Sequence, residues 1–351
     1  MSNLYAPVNL FTISIGEKLC EEKYMDIIKK GIEEAKERVL YEYGVRLPNV
    51  RIRSRERKYG PMEYSIDVMD NPFLKFTLEE DSVFLLLIEE PKKEMSGKKI
   101  TEPLENCPAL WVPALEEEEA KKNGYLVCNL QRVLASHLAF VAEENAKDII
   151  TTQYVSDLLD EIAEDNEVLV DSLKEGFEED KLSFGPSLKM INTVKQMLRS
   201  LLEERVSIKN IIPILEAISD SAEKKNPKKL LNDVRKAVAR DILMPHVEND
   251  ELHVGCITQS KQEFEKKIVE KGLDKDLVKK IVEFAYGDGD NFNQCLVCPQ
   301  DYRRQLFDCV SVSMPYCTFI SDEECLLGIK NLRNINQLNA VLRILFLQNL
   351  F

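Results

Sequence analysis

Leu188-Lys189-Met190-Ile191-Asn192-Thr193-Val194-Lys195-Gln196-Met197-Leu198-Arg199-Ser200-Leu201-Leu202-Glu203 carries Leu188, Ile191, Val194, Leu198, Leu201 and Leu202 at steps of three and four. That period marks one face of an amphipathic helix, and the face must be buried against other elements. Pro186, just upstream, suits a first helical position, where its missing N–H is not needed. Downstream, Ser207 reads as the N-cap of a helix carrying Ile208, Ile211, Ile214, Leu215 and Ile218, with Pro213 delaying or bending its first turns. Asn226-Pro227 opens another helix, with Leu230, Leu231, Val234, Val238 and Ile242 inward. The helical pattern reaches back to Gln131, so residues 131–220 read as an all-helical block.

Both flanks of that block mix strand and helix. Residues 8–15 alternate as a half-buried strand, residues 24–43 carry a helical stripe that stops at Gly44, and residues 45–53 give a second strand with Arg51 and Arg53 on one face. Pro61, Pro72, Pro91 and Pro103 punctuate short strand-like runs at 64–68, 73–78 and 83–88, so residues 55–107 read as a β-rich insertion. The single tryptophan, Trp111, marks the return to the first unit, and a short acidic helix follows at 115–122. The far flank predicts strands at 251–257, 294–298 and 313–320, with helices over 261–286, split near Gly272, and over 302–311. Residues 336–351 form a Leu/Asn/Gln tail whose apolar side needs a partner or stays disordered.

Composition excludes several classes. The 351 residues hold 47 Lys plus Arg against 61 Asp plus Glu, a formal charge of −14, whereas phosphate neutralisation needs the opposite sign, so no nucleic-acid partner is expected. At 44% hydrophobic and 31% charged the chain is an ordinary globular one. Glycine, at 13 of 351, runs at about half its average usage, which argues against sites built from glycine loops. The longest apolar run, 83–88, is far short of the roughly 20 residues of a spanning helix, and the start Met1-Ser2-Asn3-Leu4 lacks a signal-peptide pattern. Nine scattered cysteines suit free thiols in a reducing cytosol.

Several stretches together resemble one family. Tyr43-Gly44-Val45-Arg46-Leu47-Pro48-Asn49-Val50-Arg51-Ile52-Arg53 is similar to the "G-F-V-x-P-x-V-R-I-R" entry of the FHIPEP family, the export-gate proteins of flagellar and injectisome type III secretion. Gly124-Tyr125-Leu126-Val127 followed by Val133-Leu134-Ala135-Ser136-His137-Leu138 resembles its "G-Y-x-V... V-V-A-T-H-L". Leu201-Leu202-Glu203-Glu204-Arg205-Val206-Ser207-Ile208-Lys209 with Ile214-Leu215-Glu216-Ala217-Ile218, and then Val234-Arg235 to Ala239-Arg240-Asp241-Ile242, resemble two further motifs in the same order. Ser54, Pro213 and the tail after Lys330 depart from the pattern.

The resemblance implies a helix-rich α+β fold of four small subdomains: mixed α/β over 1–54 and 108–130, the insertion at 55–107, the helical block at 131–220, mixed α/β at 221–335, then the tail at 336–351. It implies the cytosolic half of a protein whose membrane-embedded N-terminal half is missing here, at the cytoplasmic face of a bacterial inner membrane. It further implies a nonameric ring without enzymatic activity or cofactor that docks export chaperone–substrate complexes and the gatekeeper, and meets the stalk of the export ATPase. The injectisome is favoured over the flagellum because the insertion and tail diverge from the flagellar pattern.

A closed ring needs one patch meeting a different patch on its neighbour, and the resemblance puts that contact on the third subdomain. The turn at Glu203, Glu204, Arg205, Ser207 and Lys209 offers both charge signs on a short segment, as an alternative to plain solvation. The resemblance puts docking in a cleft between the first two subdomains. There Phe73, Phe76 and Trp111 are candidates only as large apolar groups, with ordinary core as the other reading. Two other classes stay open: a thiol or zinc enzyme centred on Cys295 and Cys298, and a monomeric helical adaptor. The Cys-x-x-Cys pair stands without the second close-spaced pair of a zinc site, His137 sits in an apolar helical pattern, and His246 and His253 have no spaced partners. The acidic run at 287–291 does not follow calcium-loop order, and no phosphate-loop motif is present.

Overall fold

The computed structural model describes residues 8–54, 58–87, 91–104, 106–177, 188–248, 251–257, 261–273, 275–286, 295–334 and 342–346. Pro186 and the acidic run at 287–291 lie outside them. The chain divides into two compact units, Met1–Ile149 and Ile150–Phe351.

In the first unit, β1 (Phe11–Ile15) is buried at every position, so it is covered on both faces and paired on both edges. It runs parallel to β2 (Arg51–Ser54) and antiparallel to β3 (Glu63–Val68), which pairs in turn with β4 (Asn71–Thr77), giving the order β2-β1-β3-β4. The parallel step is made by α1 (Glu22–Tyr43), whose buried stripe is Tyr24, Ile28, Ile32, Ala35 and Val39. Gly44 ends it at φ 72°, a left-handed position that favours glycine. A second sheet, β6-β7-β5-β8, combines β5 (Ser82–Leu86), β6 (Lys98–Thr101), β7 (Pro108–Pro113) and β8 (Leu126–Cys128), with α2 (Glu117–Lys122) before β8. Strands from both sides of residue 55 therefore share the first sheet, and strands from both sides of residue 107 share the second. Period-two alternation marks a strand, but not the neighbour that fills its edge.

The helix α3 (Leu130–Glu144), expected to open the helical block, instead packs on α1, and α4 (Ala146–Ile149) closes the unit. Asn129 caps α3 by accepting the Arg132 N–H at 2.8 Å. Gly31 permits the close approach: a Cβ there would stand 2.7 Å from Leu134 Cδ2 and 3.0 Å from the Gln131 carbonyl.

The second unit begins with α5 (Thr152–Asp165), α6 (Glu167–Glu175), α7 (Leu188–Glu203), α8 (Ile211–Asp220), α9 (Pro227–Ala237) and α10 (Ala239–Leu243). The stripe on α7 is buried at Ile191, Val194, Leu198, Leu201 and Leu202, while Leu188, at its first turn, is exposed. Pro213 delays α8, which starts at Ile211, so the proline falls in the first turn where helical N–H groups have no partner in the helix.

The mixed remainder forms a sheet ordered β12-β11-β10-β13, from β10 (Glu251–Cys256), β11 (Cys295–Cys298), β12 (Thr318–Ser321) and β13 (Leu342–Phe346), with the short β9 (Val247–Glu248) on β10. The four long strands pair in parallel, and the crossovers carry α11 (Lys261–Lys271), α12 (Lys275–Tyr286), α13 (Arg303–Val310) and α14 (Asp322–Asn334). Phe264, Ile281, Leu296, Leu306, Val310 and Phe319 form the core there. Residues 342–346 supply an edge strand whose backbone pairs with Leu252 through Cys256.

Candidate functional site

The candidate assembly surface is the turn between α7 and α8. The Val206 N–H donates to the Leu201 carbonyl at 2.9 Å and the Arg205 N–H to Leu202 at 3.0 Å, the Schellman pattern that closes a helix. Its left-handed position is held not by glycine but by Arg205, at φ 57°, a conformation costing about 1 kcal/mol or more for a side-chain-bearing residue. The guanidinium supplies compensation: Arg205 Nε donates to the Pro315 carbonyl at 2.9 Å and the group lies 4.4 Å over the Tyr316 ring.

The turn does not present all of its charges. Glu204 is buried beneath three arginines: Arg235 Nη1 donates to its Oε2 at 2.7 Å, Arg303 Nη1 binds the same oxygen, and Arg304 Nη1 reaches Oε1 at 3.1 Å. Arg235, itself buried, also grips Glu324 with Nε at 2.9 Å and Nη2 at 3.2 Å and donates to the Phe319 carbonyl at 2.9 Å. Burial alone would raise the Glu204 and Glu324 carboxyls; Arg235 and then Arg303 outweigh it and hold both below their ordinary values. Glu324 also completes a capping box with Ser321: the Ser321 N–H donates to Glu324 Oε2 at 2.9 Å, and the Glu324 N–H to Ser321 Oγ at 3.1 Å.

The five expected interface residues thus separate. Glu204 is corrected from surface charge to core ion: it is the first residue past α7, and its N–H donates to the carbonyl of the buried Leu201 at 3.0 Å. Ser207 is corrected from N-cap to turn residue, since α8 begins four residues later and its hydroxyl accepts the Lys209 N–H at 3.2 Å. Glu203, held by Arg304 at 3.1 Å, and Lys209 remain exposed, and Arg205 is half-buried.

The three apolar docking candidates, all in the first unit, separate too. Phe73 is 48% exposed, whereas Phe76 and Trp111 retain 6% and 2% and are corrected to core. Along β4 the odd residues Phe73 and Lys75 point outward, and Leu74 and Phe76 point inward. Phe76 stands edge-on to Phe84 at 5.8 Å and to the His137 imidazole at 4.8 Å, while Trp111 packs against Phe84 at 4.8 Å. His137 is a satisfied core histidine bonded to Tyr64.

Cys295 and Cys298 are buried, and burial pushes both thiols up, Cys295 well above the ordinary value, so the nucleophilic thiolate is disfavoured. Cys317 and Cys325 are likewise pushed up to about 12, chiefly by burial. Among the described residues no group of three or more His, Cys, Asp and Glu side chains could hold a metal ion, and no helix is long and apolar enough to cross a membrane.

A model of the FHIPEP family matches residues 2–329. The flagellar biosynthesis protein FlhA of Caulobacter vibrioides is 29% identical over 263 residues, covering 72% of this chain and 35% of that protein. The chain thus spans about a third of that relative's length. Among solved structures, nonameric EPEC SctV-C is similar at a TM-score of 0.72 and 20% identity over 98% of this chain and 99% of that one. CdsV of Chlamydia pneumoniae, solved in complex with CdsO, is similar at a TM-score of 0.73 and 17% identity over 91% of this chain and 98% of that one. The helix-rich α+β architecture is common to all three chains.

Proposed function

This chain belongs to the FHIPEP family, and from that premise we propose that it is a ring-forming cytosolic part of a type III secretion export gate, at the cytoplasmic face of the bacterial inner membrane. In this reading it makes and breaks no covalent bond. It docks chaperone–substrate complexes and the gatekeeper, and coordinates them with the stalk of the export ATPase. The observation that carries the reading is the family match across nearly the whole length, on a fold shared with a domain solved as a nonamer. The structure named as a complex of CdsV with CdsO supports a surface of this fold that receives other proteins.

For the ring we assign the outward charges Glu203 and Lys209, with Arg205, to one side of a contact between copies. For docking we keep Phe73, the one exposed member of its set. Subdomain limits follow those read from the sequence, except that strands are exchanged across residues 55 and 107 and that α3 and α4 go with the first unit. The injectisome stays the favoured host on its divergent insertion and tail, against a relative that carries the flagellar name. Light scattering over a concentration series, joined to capture of cognate chaperone–substrate complexes, tests the reading. Assembly weakened by Lys209→Glu and capture weakened by Phe73→Ala are expected. A chain that stays monomeric at high concentration and captures no such complex refutes it. Complementation of flagellar and injectisome gate deletions decides the host.

A further inference from the structure

The first sheet ends on β2, whose inner edge pairs with β1 and whose outer edge pairs with no strand among the described residues. Alternate residues of Arg51–Ser54 therefore turn their N–H and C=O groups outward. Beside this edge runs a groove of about 720 Å³ between β2 and α1. Its floor is apolar, made by Ile32 on α1 and by Val50 and Ile52, which stand two residues apart and so on one side of the extended chain. Leu40, three residues beyond Glu37 and exposed, extends the apolar surface along α1. The opposite edge of the sheet is blunted: β4 carries Pro72, which has no N–H to donate, and the exposed Lys75.

We propose that this edge and its groove receive an extended, acidic segment of another protein, which adds to β2 as a fifth strand of the sheet. Its side chains alternate: apolar ones lie on Ile32, Val50 and Ile52, and acidic ones lie on the opposite face beside Arg51. The inference goes beyond the export reading and does not depend on it. Strand addition takes its affinity from main-chain hydrogen bonds, which any extended segment can make, and its selectivity from the alternate side chains.

Charge selects the partner. Lys29, Lys30 and Arg51 are exposed and make no ion pair among the described residues, whereas Arg53 is already paired with Asp70. Of the three carboxylates at the groove, Glu33 is held by Lys36 at 2.8 Å and Glu34 accepts from Gln131 at 2.7 Å, which leaves Glu37 to oppose the free cations. With Arg51, four cations stand against three carboxylates, a net charge of +1 in a chain of −14. A short, charged edge is also how a sheet refuses unwanted strands. The two roles agree, because outward positive charge repels basic segments and attracts acidic ones. Opposite charges across a strand pair stabilise it and like charges destabilise it.

The probe is a fluorescein-labelled heptapeptide, Thr-Val-Glu-Val-Glu-Val-Thr, titrated with the full chain up to about 1 mM at low salt and followed by anisotropy. Saturable binding is expected, at least about tenfold tighter than that of the same peptide with Lys for Glu. N-methylation of the Val amides in one peptide, and of the Glu and Thr amides in another, tests the strand itself: one parity should lose about tenfold or more and the other should not. Arg51→Glu changes an exposed side chain and should shrink the preference for the Glu peptide by about tenfold, with binding of the Lys peptide showing that the variant is folded. Hydrogen–deuterium exchange should show added protection at residues 51–54 and none at 71–77. The proposal is overturned by an absence of saturable binding, by equal affinity of the two methylated peptides, by an unchanged preference in Arg51→Glu, or by protection at 71–77 instead. Protection of residues 51–54 that rises with chain concentration alone assigns the edge to a second copy and overturns it as well.

Discussion

Removing Arg235 should be among the most damaging single changes in the second unit, and the size follows from its contacts. The guanidinium makes a bidentate pair with Glu324, a third bond to Glu204 and a fourth to the Phe319 carbonyl. In Arg235→Met, Glu204 keeps Arg303 and Arg304, but Glu324 retains only the Ser321 N–H and a 3.8 Å approach from Arg303 Nε. A buried carboxylate that loses its main partner costs about 3–5 kcal/mol, against at most about 1 kcal/mol for the partly exposed Arg304 in Arg304→Ala. Restoring neutrality should recover part of the loss. Arg235→Met with Glu324→Gln keeps the capping box to Ser321 without the orphaned charge, so the double variant should be more stable than Arg235→Met alone by about 1–3 kcal/mol. Urea unfolding followed by far-ultraviolet circular dichroism measures the difference. Trp111 is the single tryptophan and lies in the first unit, so its fluorescence is an internal control. A cost below 1 kcal/mol for Arg235→Met, or a double variant no more stable than the single, would refute the account.

Thiol labelling of the native chain should modify the exposed Cys20 and Cys309 at least tenfold faster than Cys295 or Cys298, and rapid labelling of the buried pair would revive the thiol-enzyme reading. Gly31→Ala should cost about 1–3 kcal/mol, because the added methyl meets the Gln131 backbone as well as the movable Leu134; an unchanged urea midpoint would show that the α1–α3 approach is looser than drawn. The second unit should lose stability in two acid stages. The first belongs to His246, pushed by burial to about 4, whose contribution is present above 6.5 and falls with pH at no more than about 1.4 kcal/mol per unit. The second belongs to Glu204 and Glu324, whose depressed values stabilise above about 4.5 and are lost as pH falls through them. His246→Gln should remove the upper stage alone, and stability independent of pH between 7 and 5 in the native chain would contradict the assignment.

The repeating patterns carried most of the secondary structure: the stripe of α7, the stop at Gly44 and the split near Gly272 all stand where periodicity and glycine put them. Partner choice was not legible in the same way. β3 and β4 alternate as strands, but only the need of β1 for neighbours on both edges draws them into the first sheet. Some corrections were available in the sequence. Phe76 shares parity with the buried Leu74 and Leu78, whereas Phe73 shares it with Lys75. Arg235 follows Val234 on the inward side of α9, and Ser321-Asp322-Glu323-Glu324 has capping-box spacing; a charge on an apolar stripe signals a buried ion pair. The position of Tyr64 beside His137 needed the tertiary structure, because the two are far apart in the chain and share no pattern.

The turn after α7 joins these levels. A buried ion cluster is weak evidence for stability, since well-packed apolar residues often do as well, but it restricts geometry, because each guanidinium must meet its carboxylate in one orientation. Here the restriction falls on a turn whose backbone is already committed to a left-handed arginine, and the side chains divide by direction. Glu204 points in to Arg235, Arg303 and Arg304, while Glu203 and Lys209 point out. A contact between copies built on the outward charges would then rest on a backbone anchored by the inward one. The two directions should separate in experiment. Lys209→Glu changes assembly at nearly constant unfolding free energy, as exposed charges do. Glu204→Gln changes both, because it strips charge from beneath three arginines. Equal effects of the two substitutions on stability would mean that the turn is not anchored in this way, whatever its role between copies.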